Sequence, residues 1–413
     1  MSATTQPSVH LVMVTKDNNN KFYDMTDNGD NTFTATWGRI GVTSESQKYP
    51  ISKWNSKFRE KTKKGYVDQS HLFIKPKKGS KNLISISDKD VNALVKLLQQ
   101  FANKSVDENY TVDASAVTQA QVDAAQSLIN ALVKLVAKRS LDAEEANEQL
   151  LKLYSTIPRR MGNVRNYILP VDKITPVASL RASLQGYIST EQDTLDVMAG
   201  QVSTIATEQT NVDDQKSILD VLGLHFEIVD TKSKEYAHIQ KMMGPNANKL
   251  ISAYKLTQDK TEVPFRKNLA EAKNPATELF WHGSRNENWW SILQSGLLVR
   301  PTNAVISGKM FGYGIYGADK FQKSYGYTSA RGSHWARGTQ DVAFLGIYEF
   351  HMGNRYTVKK WQSSHSSLDY KGLRKLGDYD SLEALGGADL VNNEYIVYQE
   401  KQLTVRYLVK VQG

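Results

Sequence analysis

Three regimes of apolar spacing follow one another along the 413 residues. From about residue 8 to 81 the apolar positions come in short runs or alternate. His10-Leu11-Val12-Met13-Val14 is one run and Thr32-Phe33-Thr34-Ala35-Thr36-Trp37 alternates, with Asp27-Asn28-Gly29-Asp30-Asn31 between them as a hairpin-type turn. This predicts a small β-rich unit. Lys75-Pro76-Lys77-Lys78-Gly79-Ser80-Lys81 interrupts regular structure and reads as a linker. From 85 to 222 the spacing becomes three and four, the period of a helix. Val91, Leu94, Val95, Leu98 and Phe101 share one face, with Ser87 placed to cap it. Thr118 and Gln121 form a capping-box pattern ahead of Ala124, Ala125, Leu128, Leu132 and Leu135. Ser140 precedes a helix bearing Ala146, Leu150, Leu153 and Tyr154, stopped by Pro158. Thr175-Pro176 opens another with Leu180, Leu184, Tyr187 and Ile188. An all-helical bundle is expected. From 223 to 413 strands return: 224–229 and 404–411 alternate, and 342–350 is apolar enough for a buried strand. The clearest helix there runs from Asn288 to Gln294, closed by Gly296. The reading is multidomain α+β: a β-rich unit at 1–81, a helical bundle at 85–222, and an α+β unit at 223–413 with antiparallel sheets and a cleft between them.

Charge sharpens this division. The net +9 splits into +7 over 1–81 (14 Lys/Arg, 7 Asp/Glu), −5 over 82–222 (13 and 18) and +7 over 223–413 (25 and 18). Three units with different partners are implied. There is no cysteine, which excludes disulfides, thiolate metal sites and a cysteine nucleophile. No apolar run is long enough to span a bilayer, and the start lacks the basic and apolar regions of a signal peptide. A soluble intracellular protein is expected, with no membrane partner.

Chemistry concentrates between Phe280 and Tyr327 and again at Asn393-Glu394-Tyr395. Phe280-Trp281-His282-Gly283-Ser284-Arg285 sets an imidazole among small residues whose main-chain groups are left free. Glycines at 308, 312, 314 and 317 let the chain approach a ligand closely. Tyr316 and Tyr327 offer flat faces to a heterocycle, and Glu394 precedes the strand-like Tyr395-Ile396-Val397-Tyr398. Taken singly, a core histidine, two core tyrosines and an exposed strand carboxylate would account for them. Jointly they make a cleft for a planar ring joined to a sugar. Gly312-x-Gly314-x-x-Gly317 satisfies a dinucleotide fingerprint in form, but no clear apolar strand precedes it and no suitably placed acid follows. His225, His334, His351 and His365 lack metal-ligand spacing, and no metal is expected.

Trp281-His282-Gly283-Ser284-Arg285, the Met310-Phe311-Gly312-x-Gly314-Ile315-Tyr316 run and Asn393-Glu394-Tyr395-Ile396-Val397-Tyr398 resemble, in order, the His, Tyr, Glu signature of the poly(ADP-ribose) polymerase family. Trp37-Gly38-Arg39, with Asn20-Lys21-Phe22-Tyr23 before it and Lys53, Lys57, Arg59, Lys61, Lys63 and Lys64 after it, resembles the WGR domain, a nucleic-acid-binding module often attached to that family. The resemblance implies NAD as the ADP-ribose donor, DNA with strand breaks or ends as a partner, and proteins, the enzyme itself included, as acceptors. It makes the helical segment a regulatory domain and the last third the transferase. It implies catalytic roles for His282, Tyr316 and Glu394. Gly283 and Ser324 would hold the nicotinamide carboxamide, Tyr327 would stack on the ring, and Ser284 and Asn288 would lie near the adenosine half. Lys21, Trp37, Arg39 and Tyr66 would meet DNA, where lysine and arginine neutralise phosphates and aromatic rings stack. Three positions depart from the common family pattern: Leu298, Lys309 and Gly317 stand where arginine, tyrosine and a bulky aromatic are frequent. The adenine and pyrophosphate contacts are the ones affected, with Arg300 and Lys309 available for the phosphates. A mono-ADP-ribosyltransferase, or mainly a DNA-end binding module with weak transferase activity, are the two rival readings. The location implied is the nucleus of a eukaryote, or otherwise the cytoplasm or nucleoid.

Overall fold

A computed structural model describes residues 8–42, 44–72, 83–171, 174–210, 215–300, 310–329 and 341–413. The linker expected at 75–81, Lys309 and His334 lie outside the described residues. The chain forms two compact units, one of residues 1–78 and 105–205 and the other of 79–104 and 206–413.

In the first unit, β1 (Val9–Thr15), β2 (Asn19–Asp27), β3 (Thr32–Arg39), β4 (Ser44–Pro50) and β5 (Val67–Asp68) form one sheet in the order β4-β3-β2-β1-β5. The alternation read from the sequence puts Leu11, Tyr23, Met25, Phe33 and Ala35 on one face, against Trp54 of α1 (Trp54–Lys63). The hairpin lies at 27–32, where the Asn28 N–H donates to Thr32 O and Asn31 sits at φ 62°. The helices follow: α2 (Lys89–Asn109), of which residues 89–104 belong to the second unit, then α3 (Gln119–Ala137), α4 (Ala143–Thr156) and α5 (Val177–Thr210), whose residues from 206 on also belong to the second unit. The Thr118–Gln121 capping box forms as expected. Two caps move: Asp88 rather than Ser87 accepts the first-turn N–H groups of α2, and Asp142 rather than Ser140 caps α4.

Residues 158–164 join the strands and helices of this unit. Arg159 and Glu191 are a buried ion pair at 3.0 Å, each side chain 5% exposed. The Arg159 guanidinium also donates to Asn109 O and lies over the Tyr110 ring, while its carbonyl accepts from Asn20 Nδ2 on β2. A buried charge needs this many partners, because desolvation would otherwise outweigh what it gains.

The second unit contains two sheets. β6 (Leu224–Ile228), β7 (Leu250–Gln258), β8 (Thr277–Gly283), β10 (Val342–His351) and β14 (Leu403–Gln412) pair antiparallel in the order β6-β7-β14-β10-β8. β9 (Ile315–Gly317), β11 (Arg355–Val358), β12 (Ser381–Ala384) and β13 (Glu394–Val397) make the other, ordered β11-β12-β13-β9 with only β11 and β12 parallel. Short helices α6 (Ile218–Leu222), α7 (Lys234–Met243), α8 (Asp259–Glu271), α9 (Trp289–Ser295), α10 (Phe321–Tyr325) and α11 (Tyr370–Leu376) surround them. The two sheets are joined through the main chain where Trp281 of β8 exchanges two backbone hydrogen bonds with Ala318, just past β9. Among the described residues no helix is long and apolar enough to cross a membrane, and no cluster of three metal-ligating side chains occurs.

Candidate active site

The Trp281–Ala318 bridge decides where the site lies. It sets the end of β8, which carries His282, beside the end of β9, which carries Tyr316. β9 in turn pairs with β13, Gly317 opposite Tyr395, so Glu394 at the start of β13 arrives at the same place. Three residues 34 to 112 positions apart in sequence are thus brought together by two strand pairings.

His282 Nδ1 lies 3.0 Å from Tyr316 O. A carbonyl only accepts, so Nδ1 carries the proton in this contact. The ring sits edge-on to the buried Tyr348. The Tyr316 hydroxyl accepts from Phe311 N–H at 3.0 Å and donates to Gly312 O at 3.2 Å. Burial pushes its pKa far up; the Phe311 N–H counters this, and the charge of Glu394 adds to it. Tyr327 is 60% exposed, yet burial and then the Glu394 carboxylate raise its pKa. A rigid but open aromatic face beside a carboxylate suits a ring that must be bound and then released.

Glu394 is 6% exposed. One oxygen lies 2.6 Å from Lys323 Nζ, and the other is buried with no hydrogen-bond partner among the described residues. A buried carboxylate oxygen without a donor is costly unless a ligand supplies one. Lys323 was not singled out from the sequence. Its signal was the run Lys323-Ser324-x-x-Tyr327, of which Lys323 and Ser324 lie on α10 and Tyr327 in the turn that follows it.

Gly283 packs directly against Ser324. A Cβ at 283 would overlap the Ser324 carbonyl oxygen, so the two main chains touch and only glycine fits. The Ser324 hydroxyl donates to Trp281 O at 3.0 Å and is 4% exposed with its residue. Gly312 holds φ at 80°, where a side chain would also run into Leu368. Ser284 accepts from Asn288 Nδ2 at 3.1 Å, and Asn288 Oδ1 is buried without a partner among the described residues. Arg300 is half-buried. At Gly317 the space an aromatic side chain would need is taken: a Cβ there would lie 2.8 Å from Phe280 and 3.0 Å from Phe350, and Phe280 stacks on Tyr395 at 4.1 Å.

The first unit carries a separate basic and aromatic face. Trp37 stacks on Tyr23 at 5.8 Å, and Lys61 Nζ lies 4.2 Å over the Tyr23 ring and 5.8 Å from that of Tyr66. Burial mainly, and the neighbouring cations including Lys21, lower the Lys61 pKa. Lys21 is exposed opposite Arg39 in the β2–β3 register. Glu60 accepts from Lys64 and Lys57, which hold its pKa down at about 2, so two of the basic positions are already paired. Arg39 donates to Asn18 O, Asn18 Oδ1 and Gly162 O, the last at 2.7 Å. The structure therefore groups Lys21, Trp37 and Tyr66 around Lys61 and sets the Arg39 guanidinium on protein acceptors.

Comparison with known proteins follows the same division. Residues 233–413 match the model of the poly(ADP-ribose) polymerase catalytic domain, and residues 8–72 match that of the WGR domain. The putative poly [ADP-ribose] polymerase-like 100L of Invertebrate iridescent virus 6 is 35% identical over 40% of this chain and 87% of its own length. The poly [ADP-ribose] polymerase 1 of Caenorhabditis elegans is 23% identical over 91% of this chain but 45% of its own length. The human protein mono-ADP-ribosyltransferase PARP3 is 23% identical over 96% of this chain and 86% of its own length.

Proposed function

Because the chain belongs to the poly(ADP-ribose) polymerase family and is an NAD+ ADP-ribosyltransferase, we propose that it moves ADP-ribose from NAD to proteins, itself included, extends the product into poly(ADP-ribose), and is stimulated by DNA with strand breaks. The N-terminal sheet is the DNA-binding part, the helical segment the regulatory part, and the last third the transferase. In a eukaryotic host it works in the nucleus, and otherwise in the cytoplasm or nucleoid.

NAD lies with its nicotinamide between Tyr316 and Tyr327. The main chain of Gly283 and the Ser324 hydroxyl hold the carboxamide, and His282 holds a ribose hydroxyl. Ser284 and Asn288 line the adenosine half, with Arg300 toward the phosphates. The bond from the nicotinamide nitrogen to ribose C1 breaks with its electron pair staying on the ring, which leaves neutral and needs no acid. Positive charge develops on the ribose. Glu394 stabilises it, holds the 2′-hydroxyl and takes the proton of the acceptor hydroxyl as the new C–O bond forms. The observation that carries this reading is the buried Glu394 oxygen without a donor, beside Lys323 and within the electrostatic reach of both tyrosines. The patch of Lys21, Trp37, Lys61 and Tyr66 supports DNA binding by charge and stacking.

The test is incubation of the full chain with labelled NAD, with and without nicked or broken DNA. Long polymers that depend on DNA are the expected product. Single units would make it a mono-ADP-ribosyltransferase, the activity named for the human relative PARP3. DNA binding without NAD consumption would leave only a DNA-end binding module. Glu394→Gln should keep NAD binding and lower transfer by roughly 10²–10⁴; unchanged transfer would remove Glu394 from the mechanism.

A further inference from the structure

Among the exposed large hydrophobic side chains of the described residues, two are aromatic: Tyr327 and Trp361. Tyr327 belongs to the site already described. Trp361, in the segment after β11, is 36% exposed, yet both of its N–H groups are committed to the protein. The indole Nε1–H donates to Met310 O at 2.7 Å. The N–H of that same peptide unit, belonging to Phe311, donates to the Tyr316 hydroxyl at 3.0 Å. The two side chains hold opposite ends of one planar group, so tipping the carbonyl off the indole also tips the N–H off the phenol. The Trp361 nitrogen and the Tyr316 oxygen are therefore at most roughly 8 Å apart, two hydrogen bonds and one peptide bond in length.

The other N–H of Trp361 reaches the second arm of the site. The backbone N–H donates to Asp389 Oδ2 at 2.6 Å. Asp389 lies in the turn that delivers Glu394, closed by the Gly387 N–H to Leu390 O at 2.7 Å and by the Gly386 N–H to Asn393 Oδ1 at 2.8 Å. Register agrees: Glu394 pairs with Ala384, and Ala384 with Val358, three residues before Trp361. Packing alone does not explain the residue, since an indole kept for its apolar surface would be covered more fully.

We infer that Trp361 is a positioning residue for the transfer reaction, setting the loop that seats Tyr316 against the turn that presents Glu394. The inference rests on the site reading given above. It separates into two halves with different kinetic signatures. The indole acts through Tyr316, and so on the nicotinamide ring; Asp389 acts through Glu394, and so on the chemical step.

Trp361→Phe keeps a ring and removes the Nε1–H. It should weaken nicotinamide binding by calorimetry, and raise KM for NAD, about three- to tenfold, the usual worth of one hydrogen bond, with kcat changed less. Asp389→Ala should lower kcat with KM nearly unchanged, and Asp389→Asn, which keeps an acceptor oxygen, should restore most of it. Trp361→Phe combined with Tyr316→Phe should cost less than the product of the two, because both grip one peptide. Wild-type nicotinamide affinity in Trp361→Phe, or effects that multiply in full, would overturn the inference. A wild-type chain that binds nicotinamide but transfers nothing would instead sink the reaction proposed above and leave the Trp361 result standing on affinity.

Discussion

Replacing Lys323 by methionine is the most informative single perturbation of this site. The ammonium lies 2.6 Å from Glu394, and the two side chains are 16% and 8% exposed. At that separation an effective dielectric of about 20 gives a gross attraction of about 6 kcal/mol. Desolvation of the two ions takes back several kcal/mol of this, so the intact pair contributes little net stability. Breaking it is another matter. Methionine matches the length of the lysine stem but strands the carboxylate, whose second oxygen already lacks a donor. The expected loss is about 3–5 kcal/mol of unfolding free energy, with a fall in NAD turnover because Glu394 is no longer held in place. Glu394→Gln in the same background removes the stranded charge and should return at least about 2 kcal/mol. Denaturant unfolding of wild type, the two single variants and the double variant measures this directly, alongside NAD consumption. If the double variant shows the sum of the two single losses, the ion pair is not what holds the carboxylate, and the argument from its geometry fails.

Tyr327→Ala removes an exposed ring, so it should leave folding almost unchanged while weakening nicotinamide binding by about 1 kcal/mol or more; calorimetry with unchanged affinity would take Tyr327 out of the pocket. Glu191→Ala leaves the Arg159 guanidinium buried without its carboxylate and should cost about 3–5 kcal/mol of unfolding free energy in denaturant, where a loss below 1 kcal/mol would mean the pair is idle. Burial first, then the charges of Tyr49, Glu60 and Tyr66, push the Tyr23 pKa up to about 12. A raised folded-state pKa means that this stability is fully present below pH 10 and is lost as the pH climbs from 10 to about 12. Melting temperatures across that window should fall more steeply for wild type than for Tyr23→Phe, and parallel curves would contradict the assignment.

The parts of the fold that the sequence announces are those with a strong local period. The alternation at 32–37 and 404–411, the buried run at 342–350 and the Thr118–Gln121 box all became the expected elements. The cap positions that slipped did so between neighbours of similar chemistry: an aspartate one or two residues on offers the same acceptor, and only the course of the first turn decides which is used. Helix α8 was missed because it has no apolar stripe. Pro264 lies inside it, and its buried residues are Glu262, Phe265 and Asn268. At the site, the residue types and their local strings were legible at His282, Tyr316 and Glu394. Their convergence was not, because it depends on the Trp281–Ala318 bridge and the β9–β13 pairing. Lys323 and Trp361 make their contacts with residues 71 and 51 positions away, which no local spacing encodes. The partner expected for Arg39 was DNA; its bonds go to Asn18, 21 residues upstream, and to Gly162, 123 residues downstream, which no local spacing encodes.

The contact of main chain on main chain between Gly283 and Ser324 has a pharmacological corollary. On the proposed reading this contact meets the amide headgroup of NAD, and a surface where not even a methyl group can be inserted cannot be reshaped by substitution. Small nicotinamide mimics would thus be indifferent to which homologue they occupy. Any compound that singles out this chain must grow outward from that contact, toward the exposed ring of Tyr327.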